Sequence, residues 1–356
     1  MKKKMVLPIL AAASLFFSPF AGHIASAESA DKTLEGTNGR EIVIHKPDDI
    51  SSAKINELVS RFKKGIEEDR ADNQKMNLNK NVSESVYGNA IYDYTIIGED
   101  YVYKYEEAPN QDPVLTIEKS NVSYPIERQI DAISTSDYNI SDGIGGRQDI
   151  VKSGSYLSTL VRLPLESQVV KQKAAYNYSG FTSGAFEADM GLMYDSNVGP
   201  NGLEKGWKPT MIVKRGGIEK PSSLVVGYAD VQGANAYLQG SNVNLYVWYN
   251  DSGKVRMKIN GTATCANQAC SRSNDTPLIS IMETNVSLDI NTVDQWKLLS
   301  TVVSTGKSGK NRATFSSIKV DGGSVPSSAF KAPLLDHASI TRDGNNNVTI
   351  IADQNL

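Results

Sequence analysis

The chain has 356 residues, with 37 Lys and Arg against 40 Asp and Glu, and a formal net charge of −3. Hydrophobic residues make up 40% and charged residues 22%. That balance suits one large or two ordinary globular domains and excludes a strongly basic nucleic-acid binder and a disordered tail. Cys occurs twice, and His and Trp three times each, which disfavours disulfide-dense scaffolds, zinc centres and histidine-based catalysis.

Lys2, Lys3 and Lys4 precede an apolar run from Met5 to about Phe20, and Ala25-Ser26-Ala27 is an A-x-A cleavage signal. Pro8 and Pro19 interrupt the run, which falls short of the ~20 apolar residues of a membrane span. Residues 1–27 are expected to be a signal peptide, and the remainder to be secreted rather than membrane-embedded. Cleavage would remove the lysines and His23, leaving His45, His337 and a more acidic chain. Such a chain repels nucleic acid and anionic polymers unless a local basic patch intervenes, and no nucleic-acid partner is expected.

Residues 28–145 read as a small α+β region. Glu41 to His45 is a short strand. Asp48 to Arg70 is one helix, capped by Ser51 or Asp49, with Ile55, Leu58, Val59, Phe62 and Ile66 on one face. Ala90–Ile97 and Tyr101–Tyr105 form a hairpin around Gly98-Glu99-Asp100, and Val114–Ile117 adds a strand. Tyr101, Tyr103 and Tyr105 share a face, a pattern of good β-formers more often than of a sugar site. Ser134 to Gln148, with Gly143, Gly145 and Gly146, has linker chemistry and sets the domain boundary at 145/146.

Residues 146–356 carry recurrent short strand-like runs and almost no helix signal, the pattern of a two-sheet β-sandwich. The runs are Tyr156–Leu163, Lys173–Tyr178, Ala185–Tyr194, Lys208–Arg215, Leu224–Tyr228, Val243–Tyr249, Val255–Ile259, Leu278–Met282, Trp296–Val303, Ala313–Val320 and Val348–Ile351. In an oxidising compartment Cys265 and Cys270 should pair, as a staple on the loop between Val255–Ile259 and Leu278–Met282. A metal site would need more ligands nearby, and a thioredoxin-like motif would need C-x-x-C.

Alternation separates two faces on each strand. Phe186, Ala188, Met190, Leu192 and Tyr194 are core candidates, leaving Glu187 and Asp189 on the opposite face. Val243, Leu245 and Val247 likewise leave Tyr246 and Trp248 opposite. Aromatic rings stack on the apolar C–H face of a sugar while carboxylates and amides take its hydroxyls. Glu187, Asp189, Tyr246 and Trp248, with Trp207 at the rim, are therefore the candidate ligand-binding residues. The alternative is that the aromatics are buried, as Trp is on average.

Two sets of residues resemble known families. Asp294-Gln295-Trp296 opening a strand, and Ile318-Lys319-Val320-Asp321-Gly322-Gly323 ending one, resemble concanavalin A-like (laminin-G-like) jelly rolls over roughly residues 150–356. Tyr176-Asn177-Tyr178-Ser179-Gly180-Phe181, Glu187-Ala188-Asp189-Met190-Gly191-Leu192 and Gly206-Trp207-Lys208-Pro209 resemble the YrpD-type proteins, secreted proteins of Gram-positive bacilli without an assigned activity. The first resemblance implies a jelly-roll sandwich following the α+β region. The second implies secretion and transfers no catalytic residue.

Laminarinase-like glycosidases on the jelly roll use Glu-x-Asp-x-x-Glu. Here Glu187-Ala188-Asp189 is followed by Met190-Gly191-Leu192-Met193, so the second Glu of a retaining pair is absent. No Gly-x-Ser-x-Gly elbow accompanies His45 or His337. No catalytic residue and no cofactor are expected. Structural calcium is compatible with Asp195-Ser196-Asn197 or Asp343-Gly344-Asn345, but neither has EF-hand spacing. The expected function is a secreted non-catalytic module that binds an extracellular glycan or cell-wall polymer. The alternatives are a divergent glycan hydrolase or lyase and a structural matrix protein.

Overall fold

The computed structural model describes residues 34–78, 89–120, 140, 143–169, 174–184, 186–194, 206–216, 223–230, 233–266, 270, 276–304 and 306–356. The expected signal peptide, the start of the expected linker and the Asp195-Ser196-Asn197 candidate lie outside these residues.

The first elements are β1 (Val43–His45), α1 (Ser52–Leu78), β2 (Ile91–Ile97), β3 (Tyr101–Glu107) and β4 (Val114–Lys119). Ser51 starts the helix, its hydroxyl accepting the backbone N–H of Lys54 at 3.3 Å. The helix runs eight residues past the expected end at Arg70. Its apolar stripe, Ile55, Leu58, Val59, Phe62 and Ile66, is buried as the periodicity predicts. It packs on one face of β2–β4, where Tyr92, Tyr94, Tyr103 and Tyr105 join Leu115 and Ile117 in a satellite core. The tyrosine row thus serves packing: Phe62 stacks on Tyr105 with ring centroids 5.3 Å apart.

The remaining strands are β5 (Gly143–Ile150), β6 (Tyr156–Arg162), β7 (Ala174–Ser183), β8 (Phe186–Tyr194), β9 (Lys208–Arg215), β10 (Ser223–Ala229), β11 (Asn235–Tyr237), β12 (Asn242–Asp251), β13 (Lys254–Cys265), β14 (Pro277–Thr284), β15 (Gln295–Val303), β16 (Lys310–Val320), β17 (Gly323–Ser324), β18 (Leu334–Asp336), β19 (Ala338–Arg342) and β20 (Val348–Asp353). Among the described residues they form two sheets, and the chain is mainly β. The larger sheet has 13 strands, in the order β1-β4-β3-β2-β14-β13-β12-β6-β16-β20-β19, with β11 on β13 and β17 on β16. The smaller has seven, in the order β10-β9-β8-β7-β15-β5-β18.

Inward residues of both sheets share one core. Ala188, Met190 and Leu192 of β8, Leu298 and Val302 of β15, Leu245 and Val247 of β12, and Phe315 of β16 all belong to it. Trp296 is fully buried there and donates its indole N–H to the Lys152 carbonyl at 2.9 Å. β16 ends in the Asp321-Gly322 turn, where both residues have positive φ (48° and 73°) and lead into β17, as a tight hairpin turn requires.

Two expectations are revised. Gly143, Gly145 and Gly146, expected in a linker, lie in β5, which pairs with β15 along its length. The glycines serve close packing: a Cβ on Gly146 would come within 2.9 Å of Ile350 and 3.2 Å of Ile340. The 145/146 boundary therefore falls inside a strand. The N-terminal strands also continue the larger sheet, because β2 pairs in parallel with β14 from Ile91↔Leu278 to Ile97↔Thr284.

Cys265 and Cys270 form the expected disulfide, with Cα atoms 5.4 Å apart. Cys265 is the last residue of β13, so the bridge secures the strand end where β11 pairs, Asn235 lying opposite Cys265. At Asp343-Gly344-Asn345 the carboxylate is occupied by the turn. Asp343 Oδ1 accepts the backbone N–H groups of Asn345 and Asn347, each at 2.9 Å, which holds its carboxyl below the usual range.

Candidate functional site

Sheet alternation places the five candidate residues in three different surroundings. Trp207 is 0% exposed, sits in the main core and packs on Tyr194 with ring centroids 5.5 Å apart. It is not a rim residue. The Gly206 backbone that delivers it has φ 124° and lies against Ala236, so the indole enters between the sheets.

Glu187 and Asp189 project from the outer face of the smaller sheet, opposite core residues Ala188 and Met190. Lys297 on β15 reaches both across β7, with Nζ 2.6 Å from Glu187 Oε1 and 2.7 Å from Asp189 Oδ1. The crossing is open because Gly180 lies between Lys297 and Asp189 in the register. A Cβ there would meet the Ala188 carbonyl at 2.0 Å and Lys297 Cε at 3.1 Å.

Arg147 extends the network, with Nε 2.6 Å from Asp149 Oδ1 and a guanidinium nitrogen 3.4 Å from Glu187 Oε1. Lys214 lies 3.7 Å from Asp189. The Lys297 ammonium outweighs the burial of Glu187 and holds its carboxyl well below the ordinary carboxylate range. Glu187 is therefore a fixed carboxylate and not a proton donor. Beside it, Tyr176, Tyr178, Met193 and Leu299 form a small buried apolar cluster.

Tyr246 and Trp248 lie on the outer face of the larger sheet, opposite core residues Leu245 and Val247. The two sheets face each other through the shared core, so these aromatics stand on the opposite side of the sandwich from Glu187. The structure does not bring them together. Instead, Trp248 and Tyr246 have ring centroids 6.0 Å apart and planes within 18°. Tyr156, directly across the ladder from Trp248, adds a third ring at 5.7 Å and 28°. All three are partly exposed.

Helix α1 borders this aromatic row. Lys258 Nζ lies 5.2 Å from the Tyr246 ring centroid and 2.5 Å from Asp69 on the helix. Arg256 lies 5.9 Å from the Trp248 centroid and 2.6 Å from Asp251. Arg61 of the helix pairs with Glu283, which also accepts the Tyr94 hydroxyl at 2.9 Å. The ion pairs thus fix the helix at the edge of the row.

A further charged group, not apparent from the sequence, lies between the sheets. Asp93 on β2 contacts Asp230, which holds Lys104 of β3 at 2.7 and 2.8 Å. Burial pushes the Asp93 carboxyl well above its usual range, while Lys104 keeps Asp230 ionised and low. The arrangement sets a carboxyl whose ionisation burial opposes beside a carboxylate–ammonium pair. It joins the N-terminal strands to the segment following β10, where Lys208 also donates to the Gly233 carbonyl at 3.0 Å.

Comparison with known proteins places these features in a family. Residues 137–352 match the family described as "Domain of unknown function, YrpD". The "Uncharacterized protein YrpD" of Bacillus subtilis (strain 168) is 30% identical over 213 residues, which cover 58% of this chain and 80% of that protein. Among solved structures, scytalido-glutamic peptidase with a transition-state analogue inhibitor overlaps 60% of this chain and 98% of its own, at 10% identity and a TM-score of 0.37. SCP-B, a member of the Eqolisin family of peptidases in complex with a tripeptide Ala-Ile-His, gives the same coverage, 9% identity and a TM-score of 0.35. Overlap at that level carries no argument about chemistry.

Proposed function

The chain belongs to the YrpD family, and from that premise we propose that it is a secreted, non-catalytic module binding an extracellular glycan or cell-wall polymer on the outer face of its larger sheet. The observation that carries this reading is the row Tyr156, Trp248 and Tyr246. It sets three near-parallel, partly exposed rings stacked in a row on adjacent strands. Rings so placed offer apolar area to the C–H faces of sugars, and the amides of Asn242 and Asn244, both exposed on the same face, can take hydroxyls.

The non-catalytic part of the proposal is supported by Glu187 and Asp189. Both carboxylates are engaged by Lys297, and neither faces the aromatic row. Secretion is supported by the Lys2–Lys4, apolar and Ala25-Ser26-Ala27 pattern and by the Cys265–Cys270 disulfide. A concanavalin A-like jelly roll is the fold reading we favour. It draws support from the two face-to-face sheets, the buried Trp296 in β15 and the Asp321-Gly322 turn.

Polysaccharide pull-down and a glycan array, run with the full chain and with Trp248→Ala and Tyr246→Ala, test the proposal. Retention of at least one glycan should weaken by about tenfold or more in each variant, the size expected for loss of a central aromatic anchor. Retention of no glycan, or retention indifferent to both substitutions, would refute it.

A further inference from the structure

The same outer face carries a charge pattern that narrows the ligand. We propose, resting on the glycan-binding reading above, that the polymer held there is an anionic polysaccharide. The aromatic row would seat its sugar rings, and Lys319, Arg162 and Arg312 would receive its acid groups.

The argument begins with which charges are free. At the helix side of the row the described cations nearest the rings are matched: Lys258 by Asp69, Arg256 by Asp251, and Arg61 and Lys254 by Glu283. On the other side, β6 and β16 present Arg162, Arg312 and Lys319, all exposed and without an ion pair among the described residues. From Tyr156 to Arg162 and from Asn242 to Trp248, the outward positions of β6 and β12 hold no carboxylate. Asp321, beyond the Tyr156 end, accepts the backbone N–H groups of Ser155 and Tyr156. A chain of net charge −3 therefore carries an uncompensated basic strip that begins at its aromatic row.

The backbone aims one of these cations. The pairing of β16 with β6 jumps from Ser316↔Leu160 to Lys319↔Ser158, and Ser317 in the gap has φ 51°. This bulge keeps both Ser316 and Lys319 outward while Ile318 stays in the core. Lys319 thereby stands two strands from Tyr246, because Ser158 pairs with both.

The cations are spread along the face rather than gathered at one point. Arg162 is four residues along β6 from Ser158, about 13 Å at strand rise. Lys319, opposite Ser158, is about that far from Arg162, while Arg312 lies diagonally beside Arg162 because Thr314 pairs with it; cations spread in this way suit an extended polymer carrying several acid groups. A densely charged nucleic-acid strand is disfavoured because the chain as a whole is acidic and repels it away from this strip. Carboxylate and phosphate groups present the same chemistry to Lys and Arg, so the test includes both.

Binding of the full chain is measured against polygalacturonate, poly(glycerol phosphate), a neutral β-glucan and a single-stranded oligonucleotide, at 50 and 300 mM NaCl. The variants are Trp248→Ala, the double Arg162→Gln/Lys319→Gln and the charge-preserving Arg162→Lys/Lys319→Arg, each checked for folding by near-UV circular dichroism. The expected result is binding of at least one acidic polysaccharide. That binding should weaken at least tenfold in the Gln double variant, weaken with salt, persist in the charge-preserving variant, and fall in Trp248→Ala. Trp248-dependent binding of β-glucan alone, indifferent to salt and to the Gln double variant, would overturn the inference and leave the glycan reading standing. Binding of no polysaccharide overturns both, as does tighter binding of the oligonucleotide than of either acidic polymer.

Discussion

Replacing Lys297 by Met probes the ion network on the smaller sheet. The Lys297 side chain is fully buried, and its ammonium serves both Glu187 and Asp189. Removing one partner of a buried pair costs about 3–5 kcal/mol, because the remaining charge stays desolvated. Glu187 keeps 27% side-chain exposure, and Arg147 and Lys214 remain within 3.4 and 3.7 Å of the two carboxylates. The loss should therefore lie at the lower end, about 3 kcal/mol, or roughly 6–12 °C in melting temperature for a domain of this size.

The pH dependence gives the reasoning a second readout. Lys297 holds the folded-state pKa of Glu187 below its unfolded value. The stability this contributes is present above the ordinary carboxyl pKa of ~4.3 and is lost as the pH falls towards the folded value. The variant lacks that contribution, so the gap between the two proteins should narrow below pH ~4. Thermal unfolding followed by circular dichroism between pH 3 and 8 measures both effects. The triple variant Lys297→Met, Glu187→Gln, Asp189→Asn should regain most of the loss, since no charge is left stranded. A Lys297→Met protein within about 0.5 kcal/mol of wild type at pH 7, or a gap that widens on acidification, would refute this account.

The buried Asp93 makes the opposite pH prediction. Burial raises its folded-state pKa, so folding is increasingly opposed as the pH climbs above the ordinary Asp value of ~3.9, by about 1.4 kcal/mol per unit until the folded value is reached. Asp93→Asn keeps a donor towards Asp230 and removes the titration. It should match wild type near pH 4 and be the more stable protein at pH 7, and equal urea midpoints at both pH values would contradict the description. Cys270→Ser opens a short loop and should cost about 2 kcal/mol in the chain-entropy model, read as the difference between oxidised wild type and variant. An unchanged unfolding midpoint would mean that the bridge does not constrain the unfolded chain.

The parts legible from the sequence were those governed by local periodicity. The buried stripe of α1, the two faces of β8 and β12, the Cys265–Cys270 staple and the Asp321-Gly322 turn all follow from short-range patterns. Alternation says which residues share a face, but not which sheet a strand joins. That is why Glu187 and Tyr246 read as neighbours and stand on opposite sides of the sandwich. The partners of Glu187 were hidden for a related reason: Lys297 is distant in sequence and becomes a neighbour only through the order β8-β7-β15, with Gly180 clearing the path. β5 was missed because its glycines read as linker, whereas close sheet contact at Ile340 and Ile350 selects them. Trp207 carried no periodic signal to distinguish a rim from a core.

The central claim is that the aromatic row on the larger sheet meets a glycan, and Trp248 allows this to be observed directly. Of the three Trp residues in the chain, Trp207 and Trp296 are fully buried and Trp248 is partly exposed. Acrylamide quenching of intrinsic fluorescence therefore reports mainly on Trp248, with Trp248→Phe giving the buried background. Titration with the polysaccharide retained in the pull-down should protect the fluorescence from quenching in a saturable way, and the Trp248→Phe protein should show no such change. Saturable binding of that polysaccharide with Trp248 quenched as freely as before would place the ligand elsewhere and contradict the account.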